Sequence, residues 1–254
     1  MARPYLFNFL CTLALTGACL AQGKPTVVKT GELAAPEAVQ AAAADGGFVY
    51  AITSGGVAKY DRATGQRIAT STGPAKHLNS GFVREGKLYC AHSNYPAKPE
   101  KSEIKILDPT SMVLGVFKDF GESNGSLTWA VHDGSHWWCT FAFYGAENAK
   151  TRLVEFDSNW RELRAWTYPQ KVLGELGAYS ISGGIWMGGH LLATGHDHRV
   201  IYRLRVPQKG DVLELVDVLS SPFPGQGIAS DTKPGGIIGI DRDRKQVIFG
   251  RLQE

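Results

Sequence analysis

The stretch EAVQAAAADGGFVYAITSGGVAKYDRATGQRIATST, residues 37–72, decides the fold. It contains four short runs of apolar and β-branched residues, separated by the turns ADGG, SGG and RATGQ. Runs of this length between Gly- and Asp-containing turns are typical of strands joined as β-hairpins. The stretch therefore predicts one four-stranded antiparallel sheet.

This unit recurs along the chain. An apolar or aromatic residue followed by a polar one marks the end of its third strand, at intervals of about 48 residues and a last interval of about 36. The copies are Tyr60-Asp61, Leu107-Asp108, Phe156-Asp157, Leu204-Arg205 and Ile240-Asp241. A period of about 40–50 residues built from short strands is typical of β-propellers. The sequence predicts an all-β, five-bladed β-propeller.

The last copy is short, because the chain after Gly225 has room for only three strands. The segment TVVKTGEL, residues 26–33, precedes the first inner strand and has a strand-like composition. We expect it to supply the missing outer strand, so that blade five is closed by the N-terminal strand. Closure of this kind also covers a sheet edge that would otherwise be open to another chain.

The first 21 residues carry Arg3 as their only charge and an apolar run, which is typical of a secretory signal peptide. Cleavage after Ala21 would leave residues 22–254 as a single propeller domain with no integral membrane segment, in a secreted or periplasmic protein. An alternative is a lipoprotein anchored through Cys19, since LTGAC approaches the lipidation motif.

The net charge of the chain is +3, without a run of basic residues, so nucleic acid is not an expected partner. We expect a monomer that binds a small-molecule or peptide ligand. Cys90 and Cys139 occupy equivalent positions in neighbouring copies of the repeat. Packed sheets lie about 10 Å apart, too far for a disulfide, so we expect two buried free thiols.

Two sets of loops should open on the same face of a propeller: those leading into inner strands and those joining the second strand to the third. Most of the chemically unusual residues fall in these loops or on the strands beside them. The candidate ligand-binding residues are Asn79, Asn94, Tyr95, Trp129, Tyr144, Trp186 and Gln226. The histidines on this face are His77, His92, His196 and His198.

His77 and His92 are candidate proton-transfer groups, because imidazole titrates near neutral pH. Each could equally be a turn or capping residue. His196 and His198, two residues apart in HDH, could hold a divalent metal such as zinc, or could be exposed loop residues. We expect no cofactor, with the metal as the alternative.

Other catalytic templates are not present. The sequence has no P-loop or dinucleotide fingerprint. The predicted inner strands offer only Glu37 and Asp231 as carboxylates, which is a poor match to a paired-carboxylate glycosidase.

The phrases HLNSG, YCAHSNYP, GSLTW, TGHD and GIDRDRKQVIFGRL resemble those of a group of exported bacterial five-bladed propellers often labelled cycloisomerases. The group is distantly similar to the glutaminyl cyclotransferases, which cyclise an N-terminal glutamine within a ring of aromatic and amide residues. The resemblance implies comparable parts for Trp129, Trp186, Asn79 and Gln226.

Two classes of function stay open. The chain is either an exported enzyme of the cyclase, isomerase or lyase type that acts on a small polar ligand, or a propeller that binds carbohydrate, peptide or protein without chemistry. Convergence of the histidines on one enclosed cavity would favour the enzyme.

Overall fold

The structure is a computed structural model that describes residue 1 and residues 24–122 and 125–254. The expected signal peptide and Cys19 lie outside the described residues. Of the part described, no helix has the length and apolar character needed to span a membrane.

The fold is all-β and propeller-like, built mainly from four-stranded antiparallel sheets. The first repeat forms a sheet of β2 (Ala41–Ala44), β3 (Phe48–Thr53), β4 (Gly56–Asp61) and β5 (Arg67–Thr70). The second forms a sheet of β6 (His77–Arg84), β7 (Lys87–Ser93), β8 (Lys101–Asp108) and β9 (Val113–Glu122). The third forms a sheet of β10 (Ser126–His132), β11 (Trp137–Ala142), β12 (Arg152–Phe156) and β13 (Glu162–Thr167).

The remaining strands form one eight-stranded sheet made of two runs. One run is β14 (Gly183–Met187), β15 (His190–Thr194), β16 (Val200–Arg205) and β17 (Glu214–Ser220). The other is β18 (Ala229–Ser230), β19 (Gly236–Asp241), β20 (Gln246–Gln253) and β1 (Thr26–Ala34). A single parallel bridge between Thr26 and Ser220 joins the two runs.

The N-terminal strand pairs with the C-terminal strand, as expected for residues 26–33. β1 runs antiparallel to β20, from Thr26 opposite Gln253 to Ala34 opposite Gln246. The register shifts once, between Lys29 and Gly31. β20 therefore has a hydrogen-bonded neighbour on each side.

The first strands of the sheets contact one another in a closed order. β2 contacts β6, β6 contacts β10, β10 contacts β14, β14 contacts β18, and β18 contacts β2. All four alanines of β2 are buried. Small side chains are what such a crowded centre accommodates.

The core consists of apolar clusters between neighbouring sheets. Cys90 and Cys139 are both fully buried and free, which confirms the expectation of two packed thiols. The propeller pattern did not predict two short helices: a 3-10 helix at Gly145–Lys150 and α1 at Gln170–Leu176. α1 forms because Val172, Leu173 and Leu176 lie on one buried face of the connection between β13 and β14.

Candidate functional site

A cavity of about 250 Å³ opens at the centre of the closed ring of first strands. We call it the central cavity. Its lining comes from the two sets of loops that the sequence indicated, together with the first residues of inner strands. The lining residues are Gln40, His77, Asn79, Tyr95, Thr128, Tyr144, Ala178, Tyr179, Ser182, His196, Gln226 and Arg242.

His77 begins β6 and lines the central cavity beside Tyr95, with 5.4 Å between the ring centroids. Burial lowers the pKa of His77, and a hydrogen bond with Asn79 acts in the opposite sense. The lowered pKa keeps the imidazole neutral at pH 7, which is the form that can accept a proton.

Two side-chain amides are held in place at the wall of the central cavity. Asn79 donates from Nδ2 to the Leu127 carbonyl oxygen at 2.9 Å. Gln226 donates from Nε2 to the His196 carbonyl oxygen at 2.7 Å, and its own backbone has a φ of 69°. Left-handed backbone at a residue other than glycine is uncommon and persists where the surroundings fix it.

The glycine before Gln226 allows this arrangement. A Cβ at Gly225, whose φ is 87°, would lie 2.5 Å from the backbone carbon of His196. The Gln226 backbone N–H donates to Gly195 at 2.8 Å. The segment before β18 is therefore packed directly against the β15–β16 loop that carries His196.

Three tyrosines surround the mouth of the central cavity. The rings of Tyr95 and Tyr144 lie 5.4 Å apart, and the rings of Tyr179 and His196 are stacked at 3.9 Å and 4°. Burial raises the pKa of Tyr144 to about 12, so its phenol is neutral in the physiological range. Flat aromatic faces of this kind favour ligands with planar or ring-shaped parts.

Arg242 provides a positive charge in the lining. It lies in the turn between β19 and β20, and its Nη1 is 3.3 Å from His196 Nε2 and 4.0 Å from Asp197 Oδ1. The imidazole Nδ1 of His196 is 2.7 Å from Asp197 Oδ2. Among the described residues that line the central cavity, none carries a carboxyl group.

The arrangement around His196 does not fit a divalent cation. Its Nε2 faces the Arg242 guanidinium, and its Nδ1 faces Asp197. His198 is exposed and does not line the central cavity. Within residues 24–122 and 125–254 no group of three or more His, Cys, Asp or Glu side chains is arranged to hold a metal.

His92 and Asn94 lie in a second cavity of about 490 Å³, which we call the lateral cavity. Its lining residues are Pro74, Ala75, Lys76, His92, Asn94, Lys101, Glu103 and Lys105. His92 accepts a hydrogen bond at Nε2 from the Lys76 backbone N–H at 2.9 Å. It therefore supports the residue preceding His77 and is not in the central cavity.

The two tryptophans are also outside the central cavity. Trp129 is fully buried between β10 and β14, packed against Gly184. The register of β10 against β11 shifts between Leu127 and Trp129, and Thr128, the residue between them, lines the cavity. Trp186 contacts Trp138 at 4.9 Å and lines a separate cavity that includes His132.

Arg242, Gln40 and Thr128 are lining residues that the sequence interpretation missed. The repeat pattern predicts the end of a third strand at Ile240-Asp241, but these residues end β19, the second strand of the last sheet, and Arg242 follows it. In other copies the loop after the second strand supplies Tyr95, Tyr144 and His196. The charged phrase DRDRK at residues 241–245 was the available signal.

Comparisons with known proteins support the fold. No protein-family model matches the chain, and the search among curated proteins gave no match. The structure is similar to a glutaminyl cyclase of Myxococcus xanthus, with a TM-score of 0.63 and 10% sequence identity over 90% of this chain and 97% of that one. A weaker similarity is to the hydrazine synthase of Kuenenia stuttgartiensis, with a TM-score of 0.47 and 12% identity over 88% and 71% of the two chains.

Proposed function

We propose that this chain is an exported, monomeric, five-bladed β-propeller enzyme that acts on a small anionic ligand in the central cavity. The closed order of the five first strands supports the blade count. The reaction class is that of a cyclase, isomerase or lyase, in which a proton is removed from the ligand and returned to it or to a leaving group.

One observation carries the proposal: neutral His77 and cationic Arg242 line the same small cavity. In this proposal Arg242 binds a carboxylate of the ligand, because a guanidinium pairs with planar oxyanions through two parallel hydrogen bonds. His77 accepts the proton, and the amides of Asn79 and Gln226 orient the ligand.

The likeness to a glutaminyl cyclase suggests a second substrate to test, a peptide with an N-terminal glutamine. Its ammonium group would meet Arg242 and no lining carboxylate among the described residues. Like charges at short range cost free energy in a partly enclosed site. We therefore propose a carboxylate-bearing ligand in preference to a glutaminyl peptide.

A turnover screen of the purified domain, residues 24–254, with small carboxylic acids and glutaminyl peptides tests the reaction. His77→Ala is expected to lower kcat by about 10²- to 10⁴-fold, the usual contribution of a general base. His190→Ala removes an imidazole that does not line the central cavity and is the matched control. Equal activity of the His77→Ala variant and the wild type would refute the role of His77.

Arg242→Gln tests the ligand charge separately. We expect KM for an anionic substrate to rise about 10- to 100-fold, since a charge-assisted pair is lost. KM for a neutral or cationic substrate should change little or fall. An unchanged KM for every anionic substrate would contradict the proposed carboxylate contact.

The exposed rims of Tyr95 and Tyr179, at 44% and 46%, favour a second function, binding of a carbohydrate or peptide by stacking without chemistry. Glycan and peptide arrays probed with the wild type and Tyr95→Ala distinguish the two. Binding that depends on Tyr95 and is unaffected by His77→Ala, with no turnover in the screen, would favour this function.

We propose no metal or other cofactor for the reaction, because both ring nitrogens of His196 have protein neighbours. Metal analysis of the purified protein tests this. A stoichiometric divalent metal that is lost in His196→Ala would overturn it.

A further inference from the structure

The lateral cavity contains more positive than negative charge. Its lining carries three lysines, Lys76, Lys101 and Lys105, and one carboxylate, Glu103. Lys76 and Lys101 are exposed at its rim, whereas the side chain of Lys105 is only 5% exposed. His92 also lines the cavity, and burial together with the Lys105 ammonium lowers its pKa to about 4, so it adds no charge at neutral pH.

The buried ammonium has few partners of its own. Lys105 Nζ lies 2.7 Å from Glu103 Oε2, its only polar contact within residues 24–122 and 125–254. The same Glu103 oxygen is 3.1 Å from His92 Nδ1. A buried charge is costly unless its hydrogen-bonding capacity is met, and an ammonium carries three donors. One shared carboxylate oxygen leaves donor capacity at Lys105.

The lateral cavity is large enough for a small organic ligand. Its volume of about 490 Å³ is within the usual range for small-molecule sites and is larger than that of the central cavity. Pro74 and Ala75 supply an apolar part of the wall, and Asn94 is fixed by hydrogen bonds to Pro99 and Lys101. There is room for an organic group beside the anionic one.

We propose that the lateral cavity is a second ligand site, which binds a small multivalent oxyanion such as a phosphate or dicarboxylate group. The anion contacts Lys105 at the bottom of the cavity and Lys76 and Lys101 at its rim. The proposal does not depend on the reaction at the central cavity, since none of these residues lines it.

Isothermal titration of the domain with inorganic phosphate and, separately, with malonate tests the proposal and distinguishes the two anion types. Saturable binding of one anion per chain is expected at concentrations up to about 10 mM. The double variant Lys76→Gln/Lys101→Gln is expected to weaken this binding about tenfold. Lys171→Gln, which removes an exposed charge on α1, should leave it unchanged.

A second variant tests the bottom of the cavity. Lys105→Met combined with Glu103→Gln removes the buried ammonium and its partner together, so no buried charge is left unpaired. Loss of anion binding with an unchanged melting temperature would support the site. No binding by the wild type, an equal loss in Lys171→Gln, or full binding by the Lys105→Met/Glu103→Gln variant would each overturn it.

Discussion

Replacing Gly184 with alanine tests the packing that places Trp129 in the core instead of at the ligand site. Gly184 lies on β14, facing the fully buried indole of Trp129 on β10. A Cβ at this position would lie 2.5 Å from Trp129 Cε2, 2.6 Å from Cζ2 and 2.9 Å from Cδ2. Since an ordinary contact is about 3.5–4.0 Å, the two strands or the ring must move apart by about 1 Å.

The expected change in the free energy of unfolding combines two opposing effects. Inserting a methyl group into a packed core costs about 1–3 kcal/mol. Restricting the unfolded chain by a Gly-to-Ala change returns about 0.4–1 kcal/mol. With three contacts this short, we expect Gly184→Ala to lower the free energy of unfolding by about 2 kcal/mol and the melting temperature by about 4–8 °C.

Thermal unfolding followed by circular dichroism measures this effect. Gly174→Ala is the matched control, because it lies within α1 and a Cβ there meets nothing within 4 Å. It should leave stability unchanged or raise it slightly. In a Trp129→Leu background the cost of Gly184→Ala should largely disappear. A wild-type melting temperature for Gly184→Ala, or the same cost in both backgrounds, would refute the proposed clash.

Three further predictions concern stability and reactivity. The pKa of His92 is lowered to about 4, against about 6.5 in an unfolded chain, so the unfolded state binds more protons between these pH values. The free energy of unfolding should therefore fall as the pH drops from about 6.5 to 4. Urea titrations of the wild type and His92→Gln at both pH values check this, and an equal pH dependence of the free energy in the two proteins would contradict it. Burial raises the pKa of Cys90 to about 12 and raises the pKa of Cys139 as well. Neither thiol should therefore react with a maleimide in the native protein, and both should react in urea. Peptide mass spectrometry of the alkylated cysteines measures this. Deleting residues 24–34 removes β1 and leaves β20 with one unpaired edge. The truncated chain should therefore have a lower melting temperature and self-associate in sedimentation experiments. A truncated monomer of unchanged stability would be evidence that β1 does not protect this edge.

The strand pattern and the face of the site were predictable from the sequence, because both follow from repetition. Each hairpin turn and each apolar run recurs, and a loop's place in the repeat fixes the face on which it opens. His77, Tyr95 and Gln226 were placed correctly in this way. Asn79 and Tyr144 also line the central cavity, whereas Asn94 and His198, in loops of the same kind, do not.

The direction of individual side chains was harder to predict. His92 lies on β7, the second strand of its sheet, so its ring faces the lateral cavity and not the centre. Trp129 lies on an inner strand directly after a register shift at Thr128, and its indole packs against Gly184 in the core. Trp186 is at the far end of β14 and borders a different cavity. The spacing of residues in the sequence does not show which cavity or neighbouring sheet each face of a strand contacts.

The pairing of β1 with β20 also sets an order of events. β1 is the first strand of the described residues, and its partner β20 is synthesised after every other strand among them. The three four-stranded sheets have all their strands as soon as their own repeats have left the ribosome, but β1 gains its antiparallel partner only when β20 has been made. Until β20 is available, β1 lacks its antiparallel partner. The ring of sheets can therefore close only after β20 has been synthesised.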